Sequence, residues 1–189
     1  MSVLTLVSFP VTIGGGWYID PKVCDELVSY FEKGIHRHFP GRVGRGVIEK
    51  DTKVSTDISL YHSDTLLDKY NQELQNCLNE YIKKYPEVDG LHKFSSGVEN
   101  YNIQRYEAGE GFFKWHAEVN GKDKMDRCLV FMTYLNDVKG GGTHFKYQNV
   151  TTQAKKGLTL IWPAQFTHMH KGEIASSRKY IITGWYNYL

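Results

Sequence analysis

The chain has 189 residues, 41% of them hydrophobic and 23% charged, with a net charge of +2. That length suffices for one domain with a sizeable core, and the near-neutral charge gives no electrostatic case for a nucleic acid or an anionic membrane as partner. Three cysteines, Cys24, Cys77 and Cys128, stand far apart without metal-ligand or redox-motif spacing, which fits reduced thiols and a cytoplasmic setting.

The first stretch, MSVLTLVSFPVTIGGG, lacks a basic leader and is broken by Pro10, so it reads poorly as a signal peptide. No apolar run approaches membrane-spanning length. Residues 3–13 predict a strand ending in a turn at Gly14-Gly15-Gly16, which has neither the spacing nor the lysine of a phosphate-binding loop. Asp20-Pro21 is a helix start, with Asp as N-cap and Pro at the first helical position. Val23, Leu27, Phe31 and Ile35 recur at helical spacing, so the helix is expected to run to about Phe39-Pro40. The glycine- and charge-rich residues 41–56 read as a loop, long enough to be functional. DISLYH is a short strand. Ser63-Asp64 caps a second helix carrying Leu67, Tyr70, Leu74, Leu78, Tyr81 and Ile82, which stops at Pro86.

From about Val98 the pattern becomes strands. VENYNIQRY, FFKWHAEV, RCLVFMTYL, GLTLIWP, FTHMHKG and SRKYIITGWYNYL follow one another, with KGGGTHF as a turn into a short strand and no helix between them. Aromatic residues at 14%, 13 of the chain being tyrosine, suit a β-rich core. The expected class is α+β, mainly β: an antiparallel sandwich or barrel with an N-terminal helical layer. We expect one domain over 1–189, with 1–97 as helical support and 98–189 as the core. The mixed-charge stretch Lys122–Arg127 reads as a solvated hairpin beside the strand that precedes it.

Within FFKWHAEV, strand geometry puts His116 and Glu118 on one face. A lone pair of this kind is more often structural than metal-binding. Three downstream histidines, His144, His168 and His170, are candidates for a third ligand. Two imidazoles and one carboxylate hold one face of an octahedron and leave three positions open, the arrangement of non-haem Fe(II) oxygenases.

The order of the remaining motifs decides. Arg105-Tyr106-Glu107-Ala108-Gly109, His116-Ala117-Glu118, Tyr134-Leu135-Asn136-Asp137, Gly141-Gly142-Thr143-His144-Phe145, Gly157 through Pro163, His170, and Lys179-Tyr180 through Trp185 follow in sequence. From about Tyr101 to Tyr188 the chain resembles the 2-oxoglutarate- and Fe(II)-dependent dioxygenases, in particular the prolyl 4-hydroxylase-like branch. The resemblance implies a double-stranded β-helix (jelly roll). It implies Fe(II) held by His116, Glu118 and His170, 2-oxoglutarate as co-substrate, O2 as oxidant, and ascorbate as a further cofactor. Lys179 would hold the far carboxylate of 2-oxoglutarate, Tyr134 and Thr183 would hydrogen-bond it, and Tyr106 would line the pocket. Lys179 rather than Arg178 is selected by strand parity, because Lys179 shares a face with Ile181, Thr183 and Trp185. His168 and His170 share parity as well; the family's nine-residue spacing to the basic residue favours His170 and leaves His168 either supporting a ligand from behind or at the rim. Trp185, Trp115 and His168 are the expected substrate-side residues, and His144 a surface or pocket-edge histidine. Loops placed like 41–56 cover substrate in this family, which makes that segment a candidate lid. The carboxylate ligand is more commonly Asp, so Glu118 is a departure. The implied reaction hydroxylates an unactivated C–H bond and releases succinate and CO2. A peptidyl proline is the first substrate expectation, with a free amino acid, small metabolite or nucleobase as alternatives. The competing readings are a non-catalytic jelly-roll binding module and a barrel enzyme using another metal without a keto acid.

Overall fold

The computed structural model describes residues 14–44, 46–88 and 93–189, so the strand expected over 3–13 lies outside the described residues. In chain order the elements are β1 (Gly15–Tyr18), α1 (Pro21–Lys33), β2 (Phe39–Pro40), β3 (Lys53–Val54), β4 (Thr56–Leu60) and α2 (Asp68–Lys84). There follow β5 (Phe94–Ser95), β6 (Tyr101–Tyr106), β7 (Gly111–Phe112), β8 (Arg127–Tyr134), β9 (Thr143–Phe145), β10 (Val150–Thr151), β11 (Leu158–Pro163), β12 (His170–Gly172) and β13 (Lys179–Tyr188).

Helix α1 starts where its cap dictates. The Asp20 side chain accepts from the Lys22 backbone N–H at 2.9 Å, and Pro21 sits at the first position. It ends earlier than its apolar stripe suggested. The Gly34 N–H bonds the carbonyls of Tyr30 and Phe31, the chain tightens into a 3-10 turn, and Ile35 is left 72% exposed. A 3-10 turn over Thr65–Leu67 precedes α2, whose last turn carries Lys83 and Lys84 before Pro86. No helix of the described residues is long and apolar enough to cross a membrane.

The large sheet is antiparallel, in the order β1-β11-β8-β13-β6-β4-β2, with β5 also paired to β13. A smaller sheet runs β10-β9-β12, and β3 pairs with β7. Gly15 and Gly16 are not in a turn, as the glycine run suggested. They lie in β1 opposite Ile161 and Leu160, where a Cβ on Gly16 would come within 3.2 Å of Leu158 and Leu160. Glycine is used here for close packing rather than for its backbone freedom. The loop expected over 41–56 is likewise interrupted, since β3 and the start of β4 fall inside it.

The two faces of the large sheet carry different cores. On one face Leu27 and Phe31 of α1 and Tyr70, Leu74 and Tyr81 of α2 pack with Tyr101, Phe131 and Ile182. A buried polar thread, Tyr70 Oη to Thr133 Oγ1 at 2.9 Å and on to Thr159 Oγ1 at 2.7 Å, ties α2 to that face. On the other face Val130, Met132, Tyr134, Leu160, Trp162 and Ile181 pack with Val138 and with Phe145 of the smaller sheet. Two antiparallel sheets enclosing that second core make the jelly roll, and the cavity described below opens between them. All three cysteines are free and buried, and burial pushes Cys24 and Cys77 up to about 12.

Candidate metal centre

The run Phe112–Val119 is not the regular strand its composition suggested. It leaves β7 after Phe112, and the Phe113 N–H still donates to Thr52 O at 2.8 Å. It then crosses to the opposite partner: His116 and His170 exchange both backbone bonds, at 3.0 and 2.9 Å. The N–H groups of Glu118 and Val119 share one acceptor, Ala164 O, at 3.1 and 3.0 Å. His116 and Glu118 nevertheless turn inward together.

Each imidazole is fixed at its Nδ1. That atom of His116 bonds Lys114 O at 3.1 Å, and that of His170 bonds His168 O at 2.9 Å. A carbonyl partner assigns the proton to Nδ1 and leaves the Nε2 lone pair free, the form a metal ligand requires. The rings are held by aromatic neighbours: Phe112 stacks on His116 at 3.7 Å, and Trp162 meets His170 edge-on at 5.1 Å. Glu118 Oε1 lies 3.5 Å from His116 Nε2 and 3.4 Å from His170 Nε2. The three ligand atoms all lie within 4.8 Å of one another, enough to converge on one ion. Burial pushes the Glu118 carboxyl up, but the two histidines outweigh it and hold it well below the usual carboxylate range. Burial, with His116 beside it, lowers His170 and favours its neutral, ligating form. The donor set is one of imidazole and carboxylate, which suits Fe(II).

The triad opens on a cavity of about 640 Å³. Strand β13 builds the facing wall. Lys179, Ile181, Thr183 and Trp185 all line the cavity, whereas Tyr180 and Ile182 turn to the helix-side core. Arg178 points outward and pairs with Glu107. Lys179 is 4% exposed; its Nζ donates to Gly141 O at 3.0 Å and sits 5.0 Å from the Tyr106 ring. Among the described residues it forms no ion pair, and burial lowers its pKa to about 8. Tyr134 Oη bonds the Thr143 and Thr152 hydroxyls, each at 2.7 Å. The Thr183 hydroxyl donates to Phe131 O at 3.0 Å, and the Tyr106 hydroxyl to Gln104 Oε1 at 2.6 Å.

Of the two places expected for His168, the structure gives the supporting one and not the rim. It is buried in a 3-10 turn, outside the residues that line the cavity, with Nδ1 on the Thr167 hydroxyl. The turn removes the strand parity that would have aligned it with His170, and burial pushes it down to about 4. Its carbonyl, not its ring, serves the site. His144 bonds Thr151 and meets Trp115 edge-on, also outside the cavity. Trp115 lines the cavity, with Lys171 4.9 Å over its ring. Two residues escaped the sequence reading. Arg127, placed in a solvated hairpin, is 7% exposed and bonds Glu118, and Glu99 pairs with it. The one available signal was a charged residue opening an otherwise apolar strand.

A family model described as the 2OG-Fe(II) oxygenase superfamily matches residues 101–187. A comparison with curated protein sequences finds no match. Among solved structures, a prolyl hydroxylase from Trichoplax adhaerens, in complex with a hypoxia inducible factor oxygen degradation domain peptide fragment, superposes with a TM-score of 0.71 at 18% identity. It covers 88% of this chain and 76% of its own. The viral collagen prolyl hydroxylase of Paramecium Bursaria Chlorella virus-1 gives 0.69 at 17% identity, covering 97% and 100%. A prolyl-4-hydroxylase from Pseudomonas putida gives 0.69 at 15%, covering 94% and 93%. At these identities the three likenesses speak for the fold, and the matched segment speaks for the family. Residues 101–187 thus match the 2OG-Fe(II) oxygenase superfamily, and the chain takes a prolyl hydroxylase-like fold.

Proposed function

We propose that this 2-oxoglutarate-dependent dioxygenase hydroxylates a prolyl residue within a peptide, with His116, Glu118 and His170 as iron ligands and Lys179 as the anchor of 2-oxoglutarate. One observation carries the reading. A convergent His-Glu-His triad opens into the same cavity as a buried ammonium without a carboxylate partner among the described residues. When bound, iron and 2-oxoglutarate supply with O2 the oxidant for an unactivated C–H bond, leaving succinate and CO2.

The protein's part is placement and exclusion of water. A buried cation is costly until an anion meets it, so Lys179 selects a ligand with a carboxylate at that end of the cavity. The hydroxyls of Tyr134 and Thr183 stand on the same wall as further partners, and Tyr106 closes it. Phe112, Trp115, Trp162 and Trp185 give the metal end an apolar lining that keeps it dry. Arg42, Val43 and Thr52 also line the cavity, which supports the lid role of residues 41–56. The described helices brace the sheet from behind, so the chain works as one catalytic domain.

The peptide assignment rests on the fold neighbours, one solved with a peptide and one called a collagen prolyl hydroxylase. The test supplies Fe(II), 2-oxoglutarate and O2 with proline-containing peptides, free proline, other free amino acids or nucleobases. Succinate release and addition of one oxygen to the substrate are both measured. Turnover is expected with peptides; inert peptides together with turnover of a free amino acid or nucleobase would contradict the assignment.

A further inference from the structure

Glu118 stands where aspartate is commoner, and its surroundings account for the longer side chain. One carboxylate oxygen, Oε1, faces the two histidine Nε2 atoms. The other, Oε2, is occupied by two donors: Trp185 Nε1–H at 3.0 Å and Arg127 Nη1 at 3.2 Å. The same arginine nitrogen also donates to the Glu118 carbonyl at 3.2 Å. Arg127 is itself immobilised. Its Nε and Nη2 grip the two oxygens of Glu99 at 2.8 and 2.6 Å, and its guanidinium lies 3.6 Å from the Trp185 ring centroid. Asn187 and Lys124 in turn hold Glu99, at 3.1 Å each. Arg127, Trp185 and Glu118 therefore form a closed ring around Oε2, which Glu99 anchors through Arg127.

A carboxylate can bind a cation through one oxygen or both. In an octahedral site with three protein ligands, the second oxygen would take a position that an incoming ligand needs. Hydrogen bonds from two fixed donors compete for the lone pairs of Oε2. A lysine could not reproduce the arrangement, because Arg127 uses three nitrogens in a planar fork. The extra methylene of glutamate provides the reach for Oε1 to stay with the histidines while Oε2 stays with the donors.

Building on the oxygenase reading above, we infer that Arg127 and Trp185 are positioning residues that restrict Glu118 to single-oxygen coordination and so keep open the metal positions needed by 2-oxoglutarate and oxygen. The test uses Co(II)-loaded full-length protein under anaerobic conditions. Its electronic spectrum reports the coordination of the ion, and titration gives the 2-oxoglutarate Kd. In Trp185→Phe, which removes the indole N–H and keeps a smaller aromatic ring beneath Arg127, the Co(II) spectrum changes before any 2-oxoglutarate is added. Affinity for 2-oxoglutarate falls about tenfold or more, as losses of the partners of metal ligands commonly do. Arg127→Lys gives the same signature and does not rescue. Lys179→Ala is the contrast: it weakens 2-oxoglutarate binding but leaves the Co(II) spectrum of the ligand-free protein alone. If Trp185→Phe and Arg127→Lys fold and match the parent in spectrum and in Kd, the inference is overturned while the oxygenase reading stands. A parent protein that takes up neither Co(II) nor 2-oxoglutarate removes both.

Discussion

Lys179 carries an unusual burden for a lysine: its ammonium is buried against backbone carbonyls and an aromatic ring, with Glu173 nearby but no carboxylate in ion-pair contact among the described residues. Burial lowers its pKa from 10.5 to about 8. The charged form is the one that attracts a dicarboxylate. Below pH 8 Lys179 is already charged, and above it binding must be accompanied by proton uptake. Affinity for 2-oxoglutarate should therefore hold steady below pH 8 and fall by up to about tenfold per unit above it, until the ordinary lysine range. The ligand-free protein moves the other way. Between about 8 and 10.5 the unfolded chain binds more protons than the folded one, so stability rises with pH across that window. Titrations from pH 7 to 10 check the binding claim, and a flat profile in the parent would refute it. Lys179 was legible from the chain because a strand's period of two assigns faces. Arg127 was not, because its partner Glu99 lies on a different segment and nothing local marks the pair.

At the scale of elements, the connection from β8 to β9, which joins the two sheets, depends on close backbone approach. A Cβ on Gly142 would come within 1.8 Å of the Thr152 carbonyl oxygen. Gly142 is also clasped to Glu173 through both its N–H and its C=O. Gly142→Ala must push Thr152 away, and with it the hydroxyl pair on Tyr134. We predict a loss of about 2 kcal/mol or more in denaturant unfolding, the range of overpacked cores, and weaker 2-oxoglutarate binding. An alanine variant as stable as the parent would contradict the close approach. The same scale shows where sequence patterns succeed and fail. Strands β4, β6, β8, β11 and β13 and most of both helix stripes were readable, because these are the longer elements and their apolar faces meet one core or the other. The metal-bearing run at 112–119 was not, because it exchanges β3 for β12 partway along and no periodicity survives the exchange. The substrate-side place of His168 failed for a related reason: a single 3-10 turn cancels parity.

Across the whole molecule, helices brace one face of the large sheet and the other face holds the site, with Arg42, Val43, Thr52 and Lys53 among the residues lining its cavity. Metal and co-substrate binding in that cavity should stabilise the folded state by mass action, by about 2.7 kcal/mol at a hundredfold excess over Kd. For a chain of this size that is a Tm increase of roughly 5–10 °C. Thermal unfolding with Mn(II) and 2-oxoglutarate together, against each alone, tests whether the two share one site. A shift no larger than with the metal alone would argue that they do not. The site was legible at this scale only as an order of motifs spread over the second half of the chain; its enclosure was not, since part of the cavity lining and the helices behind the sheet come from the first half.

The most direct test of the metal assignment is an anaerobic titration of the purified apoprotein with Fe(II) and then 2-oxoglutarate, watching for the visible metal-to-ligand charge-transfer band. The account predicts a band that requires both additions, is lost in His116→Ala and His170→Ala, and survives in His168→Ala. No band from folded parent protein, or a band that survives in His170→Ala and is lost in His168→Ala, would contradict it.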